Sequence, residues 1–447
     1  MTLARRQPRP IATASQPVLG ARHGVDAVTM LTVYLVLLLA IPSGVTITAL
    51  GTLGRPSLLW GLVLVVWWAL SRLQAVPAET PSGAQPVRFA FAAFVVLALV
   101  SFAAAMLRGQ PDDQLSPAVT ALIRLVSWAG VVLVAMDGIC TKDEITSMVR
   151  RIGIGAGCLA ALGLLQFITG RALVDFYGSL PGLSMAGGLG ERAGVIRSSG
   201  TAIHPLEYAT ALNAALPLVI AVAVSLGFRS RPSYRGLWWW LPVGLISISS
   251  LLAVSRSAII GFAVAVLSMI PAIPRRHLPA TLGIGAVVTF ALVAAVPGLL
   301  STTVSLFVGA ADDPSTQSRT RGLELVPWFM STSPVIGSGY GIFLPRYYIF
   351  DNQWVLLAVE LGVLGVLGFA GIFVAGIVSA RRAKVSTDPG VRLLGHSLAA
   401  SVFNVAVLFA FFDGLSFPIA GGMLFLLLGL CASIRTVAVN GDRRVEA

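Results

Sequence analysis

Charge is what this sequence has least of. Of 447 residues only 11% are Asp, Glu, Lys or Arg, where a typical soluble domain carries about 25%. Hydrophobic residues make up 56%, more apolar surface than a water-soluble globule of this length can hide. Cysteine is almost absent: Cys140, Cys158 and Cys431 are too few and too scattered for a disulfide framework or a zinc site. Lysine is confined to Lys142 and Lys384, so the positive charge is nearly all arginine. These shortages exclude a soluble enzyme, a disordered chain and a secreted disulfide scaffold.

What the sequence has is long apolar runs. They fall at about 27–49, 58–73, 89–107, 119–138, 152–169, 208–227, 238–254, 258–273, 279–297, 353–379, 393–411 and 415–434. A helix needs about 20 apolar residues to cross a bilayer, so the pattern predicts an all-α integral membrane protein of about twelve transmembrane helices. The first run is longer than a signal-peptide core and has no clear small-x-small cleavage site, so it is expected to remain as a span. Residues 1–26 then form a basic tail, 27–434 a polytopic domain and 435–447 a second tail.

The net charge of +12 invites a nucleic-acid partner, and topology tests that idea. With alternating spans and a cytoplasmic N-terminus, 21 of the 31 Lys and Arg fall on the cytoplasmic side and nine on the outer side, with Arg124 inside a span. Cytoplasmic loops of membrane proteins carry this excess. The acids divide as eight and eleven, so the cytoplasmic side holds +13 and the outer side −2. The excess charge is thereby accounted for, and nucleic acid is rejected as a partner. Both termini are expected in the cytoplasm.

Two outer loops are long, about 170–207 and 298–352, and long loops in compact folds usually carry function. The second holds Trp328, Phe329, Tyr340, Phe343, Tyr347 and Tyr348, and amphipathic aromatics collect at membrane interfaces. A short helix over Gly322–Thr332 is expected to lie there.

Arginines on the outer side run against the charge bias. Arg256, between Ser255 and Ser257 in a minimal turn, would sit at lipid head-group level. A guanidinium fork suits phosphate bidentately there, and the plainer alternative is a snorkelling helix-end residue. Arg197 opens Arg197-Ser-Ser-Gly-Thr-Ala-Ile-His-Pro205, whose hydroxyls and glycine suggest an anion cradle. His204, the outer side's one histidine, is of a kind more often structural than catalytic, and Glu207 lies within a turn to pair with it. Arg319, Arg321 and Arg346 lie in the second long loop, where solvated charges are common. Asp351 and Asn352 precede the tenth span, and Glu360 lies within it. An intramembrane carboxylate is costly and faces an interior, either as a proton acceptor or as the partner of Arg124 or Arg256. Gly362, Gly365 and Gly368 suggest close helix packing. Asp112-Asp113 and Asp312-Asp313 read as solvated loop charges, and no metal site is expected.

Taken together, four stretches resemble the O-antigen ligase and O-antigen polymerase superfamily of bacterial membrane glycosyltransferases. They are Arg197–Pro205, Ser255-Arg256-Ser257, Arg319 through Trp328 to Ser333-Pro-Val-Ile-Gly-Ser-Gly-Tyr-Gly341, and Asp351-Asn352-Gln353-Trp354 with Glu360-Leu361-Gly362. The motifs cover about 195–370, and the rest matches by topology alone. The resemblance implies a GT-C-type fold in the bacterial inner membrane, with a large outer loop before the tenth helix. It implies a polyprenyl-diphosphate-linked glycan as donor and a glycan or lipid as acceptor, with a flippase and a chain-length regulator as partners. Arg197, Arg256 and Arg319, with Arg321 in reserve, would bind the diphosphate. Asp351, Glu360 or His204 would orient or deprotonate the acceptor. Asp-Asn at 351–352, where ligases usually carry histidine, favours a polymerase joining repeat units. Neither metal nor nucleotide is required, because the donor carries its own leaving group.

Other readings remain open. A ligase would move the glycan to a lipid or protein acceptor. A twelve-helix flippase or secondary transporter would predict similar halves and broken helices near mid-membrane, yet the sequence shows no convincing repeat. Polymerases of peptidoglycan use similar donors, but their motifs are not seen.

Overall fold

The computed structural model describes residues 26–74, 84–188, 190–192, 195–228, 234–253, 255–273 and 314–446, with positions 283 and 308. The expected basic tail up to 25, the ninth expected span at 279–297 and Asp312-Asp313 lie outside the described residues. Twelve α-helices occur among the described residues. They are α1 (Ala27–Leu39), α2 (Pro56–Gln74), α3 (Pro86–Leu107), α4 (Asp112–Gly138), α5 (Lys142–Thr169), α6 (Pro205–Val224), α7 (Trp240–Leu252), α8 (Arg256–Met269), α9 (Pro314–Met330), α10 (Gln353–Arg381), α11 (Pro389–Leu408) and α12 (Pro418–Glu446). Four three-residue strands, β1 (Val45–Ile47), β2 (Leu183–Met185), β3 (Gly190–Arg192) and β4 (Val195–Arg197), pair as two antiparallel ribbons, β1 with β2 and β3 with β4.

Eight of these helices, α2 to α6 and α10 to α12, are long and apolar enough to cross a membrane. In hydrocarbon a chain must satisfy its backbone within the segment, and a helix does so. Three further expected spans fall on shorter apolar helices, α1, α7 and α8. The run at 27–49 shows why length alone misleads. Its helix stops at Leu39, after about 20 Å of rise. Ser43 N–H then donates to Thr201 O, and Val45–Ile47 pairs with β2 rather than continuing the helix. In contrast, α5 starts ten residues before its apolar run, because Thr141 and Glu144 form a reciprocal cap. The helix expected at Gly322–Thr332 is present but begins earlier, at Pro314.

The bundle has a clear centre. The apolar window of α6 is 94% buried, against 22% for α2. α6 packs against α5, α7, α8, α11 and α12, while α2 packs mainly on α4, and α3 on α10. The α6 sequence is rich in Ala, and small residues let helices approach closely.

Connections segregate into two ends, as antiparallel neighbours require. At one end β1–β2 joins the α1–α2 and α5–α6 connections, and Arg108 Nη1 donates to Gly337 O at 3.0 Å. At the opposite end Arg72 and Arg88 both pair with Asp137, and Lys142 Nζ lies 2.7 Å from Asp388. The arginines named above as expected on the outer side lie at the first end.

Candidate functional site

The 197–205 segment is built as a clamp. Ser198 Oγ donates to Gly163 O (2.7 Å) and Thr201 Oγ1 to Leu39 O (2.7 Å). Gln166 holds both sides of Gly200, accepting from its N–H at 2.8 Å and donating to its carbonyl at 2.9 Å. Two of the hydroxyls expected to cradle an anion, those of Ser198 and Thr201, are therefore buried and occupied in fixing the loop to α1 and α5. What the clamp presents is Arg197, whose Nε reaches Ala253 O at 3.4 Å, just before the Ser255–Ser257 turn.

That turn opens α8. Arg256 is the helix's first residue, and the flanking hydroxyls of Ser255 and Ser257 bond each other at 2.9 Å. Beneath it Asn213 of α6 donates to Ala258 O (3.0 Å) and accepts from Ser250 Oγ (3.1 Å). The structure thus brings Arg197 to the turn that carries Arg256.

His204 is the N-cap of α6, its Nδ1 accepting from Leu206 N–H at 3.1 Å. Burial, and next the guanidinium of Arg197, bring its pKa down to about 4. At neutral pH the ring is neutral and, with Nδ1 occupied, carries its proton on Nε2. It can donate a hydrogen bond there but has no free lone pair for a base. Glu207 does not pair with it. The Glu207 carboxylate instead accepts from Ser43 Oγ (2.7 Å), Ile203 N–H (3.0 Å) and Ile419 N–H (2.7 Å), tying three connections together.

Arg319 lies on α9. Its Nη2 donates to Phe411 O at 2.9 Å and its guanidinium covers the Phe411 ring. It also faces Asp351, whose carboxyl is pushed up by burial and pulled back in part by Arg319. Arg321, two residues on, is exposed and is not part of this contact. Arg346 is paired with Asp113 and stacked on Tyr347, and both side chains remain about half exposed at the surface.

Glu360 owes its setting to a break in α10. Gly362 adopts φ 65°, ψ −165°, and the Pro334–Gly339 segment docks on the opened backbone. Ser338 N–H donates to Val359 O and Gly339 N–H to Glu360 O, both at 2.9 Å, while Val363 N–H donates to Pro334 O at 3.0 Å. A Cβ on Gly362 would lie 2.4 Å from the Val335 carbonyl, and one on Gly337 would lie 2.2 Å from Glu360 O. Gly362 therefore serves a break, whereas Gly368 makes the expected close approach, to Leu97 of α3. The Glu360 carboxylate accepts from the amides of Gly341 and Phe343, with Arg124 and Asp413 close enough to interact. Arg124, and not Arg256, is the cation near it.

The connection 409–417 links these groups. Besides Phe411, its Leu415 O accepts from Arg124 Nη1 (2.9 Å), and its Leu415 N–H donates to Gln353 Oε1 (2.8 Å). Its Phe417 ring packs 5.8 Å from that of His204. Asp413 sits here too, its pKa raised to about 6 by burial and by neighbouring Asp351, with Ser416 and Arg124 opposing. Sequence reading gave Asp413, Gln353 and Arg55 no individual role. The signal for Asp413 was available, a carboxylate between two apolar runs only three residues apart. No family model matches the chain, and no curated protein matches it.

Proposed function

We propose that this protein is a GT-C-type membrane glycosyltransferase of about twelve spans, and that it polymerises polysaccharide repeat units. The donor is a glycan on a polyprenyl diphosphate, used at the outer face of the bacterial inner membrane. The observation that carries the reading is that, at one end of the bundle, Arg197 reaches the turn that carries Arg256 while Arg319 faces Asp351 beside the 409–417 connection.

The chemistry follows from the groups. An acceptor sugar hydroxyl attacks the anomeric carbon, its proton passes to the Asp351 carboxylate, and the bond from that carbon to the diphosphate oxygen breaks. Polyprenyl diphosphate leaves with the electron pair, and configuration inverts. Fixed cations aimed at a developing charge lower the barrier, the role given to Arg197, Arg256 and Arg319. Asp351 is the better base for its burial, since a raised pKa strengthens proton transfer near neutral pH. His204 acts as a hydrogen-bond donor.

The test is the surface-glycan profile of a deletion strain, sized on gels and checked for lipid-linked intermediates. Single repeat units in place of a ladder are expected. Intact polymer retained on its carrier would make the protein a ligase, and an unchanged profile would overturn the reading. One observation favours transport as a second reading, the broken helix α10 with its amide-held Glu360, because transporters bind substrates at such breaks. A deletion strain that accumulates lipid-linked units on the inner leaflet would identify that case.

A further inference from the structure

A groove runs between α1 and α5. Its apolar walls are Leu35, Val36, Leu39, Ile154, Leu159 and Leu162, and it has room for about 410 Å³. A continuation along α1 shares Thr32, Val36 and Arg151 with it and has room for about 470 Å³. Val36 is 54% exposed and Ile154 53%, so the groove opens to whatever surrounds the bundle. None of Arg197, Arg256 or Arg319 lines it. Along α1 it extends from Thr29 to Ala40, about 16 Å of helix rise. Half of a bilayer's hydrocarbon core is about 15 Å thick. The groove is therefore one leaflet long.

Arg151 supplies its polar end, on the side where Lys142 opens α5, the side expected in the cytoplasm. Other cations on that side, Arg72, Arg88 and Lys142, meet carboxylates. Arg151 instead reaches back along α1, where Nη1 donates to Val28 O at 3.2 Å and to Thr32 Oγ1. Both acceptors are neutral and leave the charge uncancelled. Asp26 is near enough to feel that charge, but its Oδ1 caps α1 by accepting from Thr29 N–H at 2.8 Å. Nε and Nη2 of Arg151 bond to nothing among the described residues, and unlike Nε of Arg55 and Arg124 they are not shut away from solvent.

We propose that the α1–α5 groove holds one anionic phospholipid of the cytoplasmic leaflet, with an acyl chain along Val36 and Ile154 and the phosphate at Arg151. An apolar channel one leaflet long takes the chain. A guanidinium fork suits the phosphate, and basic recesses between membrane helices on the cytoplasmic side bind anionic head groups. The uncancelled charge selects an anionic lipid over a zwitterionic one, whose own cation it would repel. The lipid is held and not consumed, so the site requires nothing of the glycosyl-transfer reading.

Native mass spectrometry of the full-length detergent-solubilised chain tests it, with phosphatidylglycerol and phosphatidylcholine of the same acyl chains as probes. Wild type should retain one saturable equivalent of phosphatidylglycerol and hold it about tenfold or more tightly than phosphatidylcholine. Arg151→Gln should weaken phosphatidylglycerol binding about tenfold or more. Val36→Trp, which fills the groove from an exposed position, should weaken binding of both lipids. Leu70→Trp, on the exposed face of α2, should leave binding unchanged. No saturable binding would overturn the proposal, as would equal retention of the two lipids. Unchanged binding in Val36→Trp would place the lipid outside the groove and overturn it too. Should Arg151→Gln fail to fold, Val36→Trp and the competition between the two lipids on wild type decide the matter.

Discussion

The two ends of the bundle treat their charges in opposite ways. At one end Asp137 receives both Arg72 and Arg88, and Lys142 meets Asp388 across 246 residues of sequence. Cation and anion neutralise each other there. At the other end Arg319 and Arg124 hydrogen-bond to the carbonyls of Phe411 and Leu415, and Glu207, Glu360 and Asp413 accept from amides and hydroxyls, while Asp351 faces Arg319. Among the described residues an acid–base pair at this end, Arg346 with Asp113, lies on the exposed rim. A carbonyl fixes a guanidinium without cancelling its charge, whereas a carboxylate cancels it. The first arrangement suits an anion-binding site and the second suits an anchor.

The contrast breaks most sharply if activity is indifferent to which end is altered. Arg256→Ala should reduce glycan transfer by about a hundredfold or more, read as loss of the polymer ladder in a complemented deletion strain. Asp137→Asn, at the opposite end, should leave transfer within about threefold, since it loosens an anchor and touches no group of the arginine cluster. Equal effects would remove the functional asymmetry.

Backbone strain sharpens the same contrast. Gly362→Ala forces a left-handed residue against the Val335 carbonyl and should cost about 1–3 kcal/mol or more. Gly371→Ala, on the far side of the break with open space around it, should be neutral or stabilising by up to about 1 kcal/mol. Thermal unfolding of the two variants compares them directly.

Protons give a smaller and signed effect. Asp413 has a folded pKa of about 6, above its ordinary 3.8. Its contribution is therefore full below about pH 4 and is lost as pH rises through 6. Wild type should lose stability relative to Asp413→Asn between pH 5 and 7. His204, held at about 4 against an ordinary 6.5, has the opposite sign. Wild type should lose stability relative to His204→Gln as pH falls from 6.5 toward 4. Melting curves across this range check both, and flat differences would return both groups to ordinary values. Smallest of all, Lys142→Met should cost no more than about 1 kcal/mol, because the pair with Asp388 is part-exposed.

Much of the fold was legible because each apolar run marks its own helix. The expected span at 353–379 and the helix Gln353–Arg381 nearly coincide, and Asn352, which was expected only to precede that span, caps its first turn. The break at Gly362 was not legible. Three glycines at a spacing of three look alike in sequence, and only the docking of Pro334–Gly339 distinguishes one from the others. His204 was read as of a kind more often structural than catalytic, and its capping role depends on which ring nitrogen faces Leu206. Arg55 shared the signal of the nine arginines expected on the outer side, and nothing in its short connection set it apart from them.

By itself the sequence determined that this chain is a set of apolar helices suited to a membrane. That information is local, because a segment in hydrocarbon must close its backbone hydrogen bonds within itself. Tertiary structure decided which polar groups are occupied and which are idle. Ser198 and Thr201 are used up in holding a loop, while Arg55 and Arg124 bury donors that meet no acceptor. Those outcomes join residues as far apart as Arg124 and Leu415, 291 positions along the chain. No local pattern encodes such a meeting, which depends on how the helices pack.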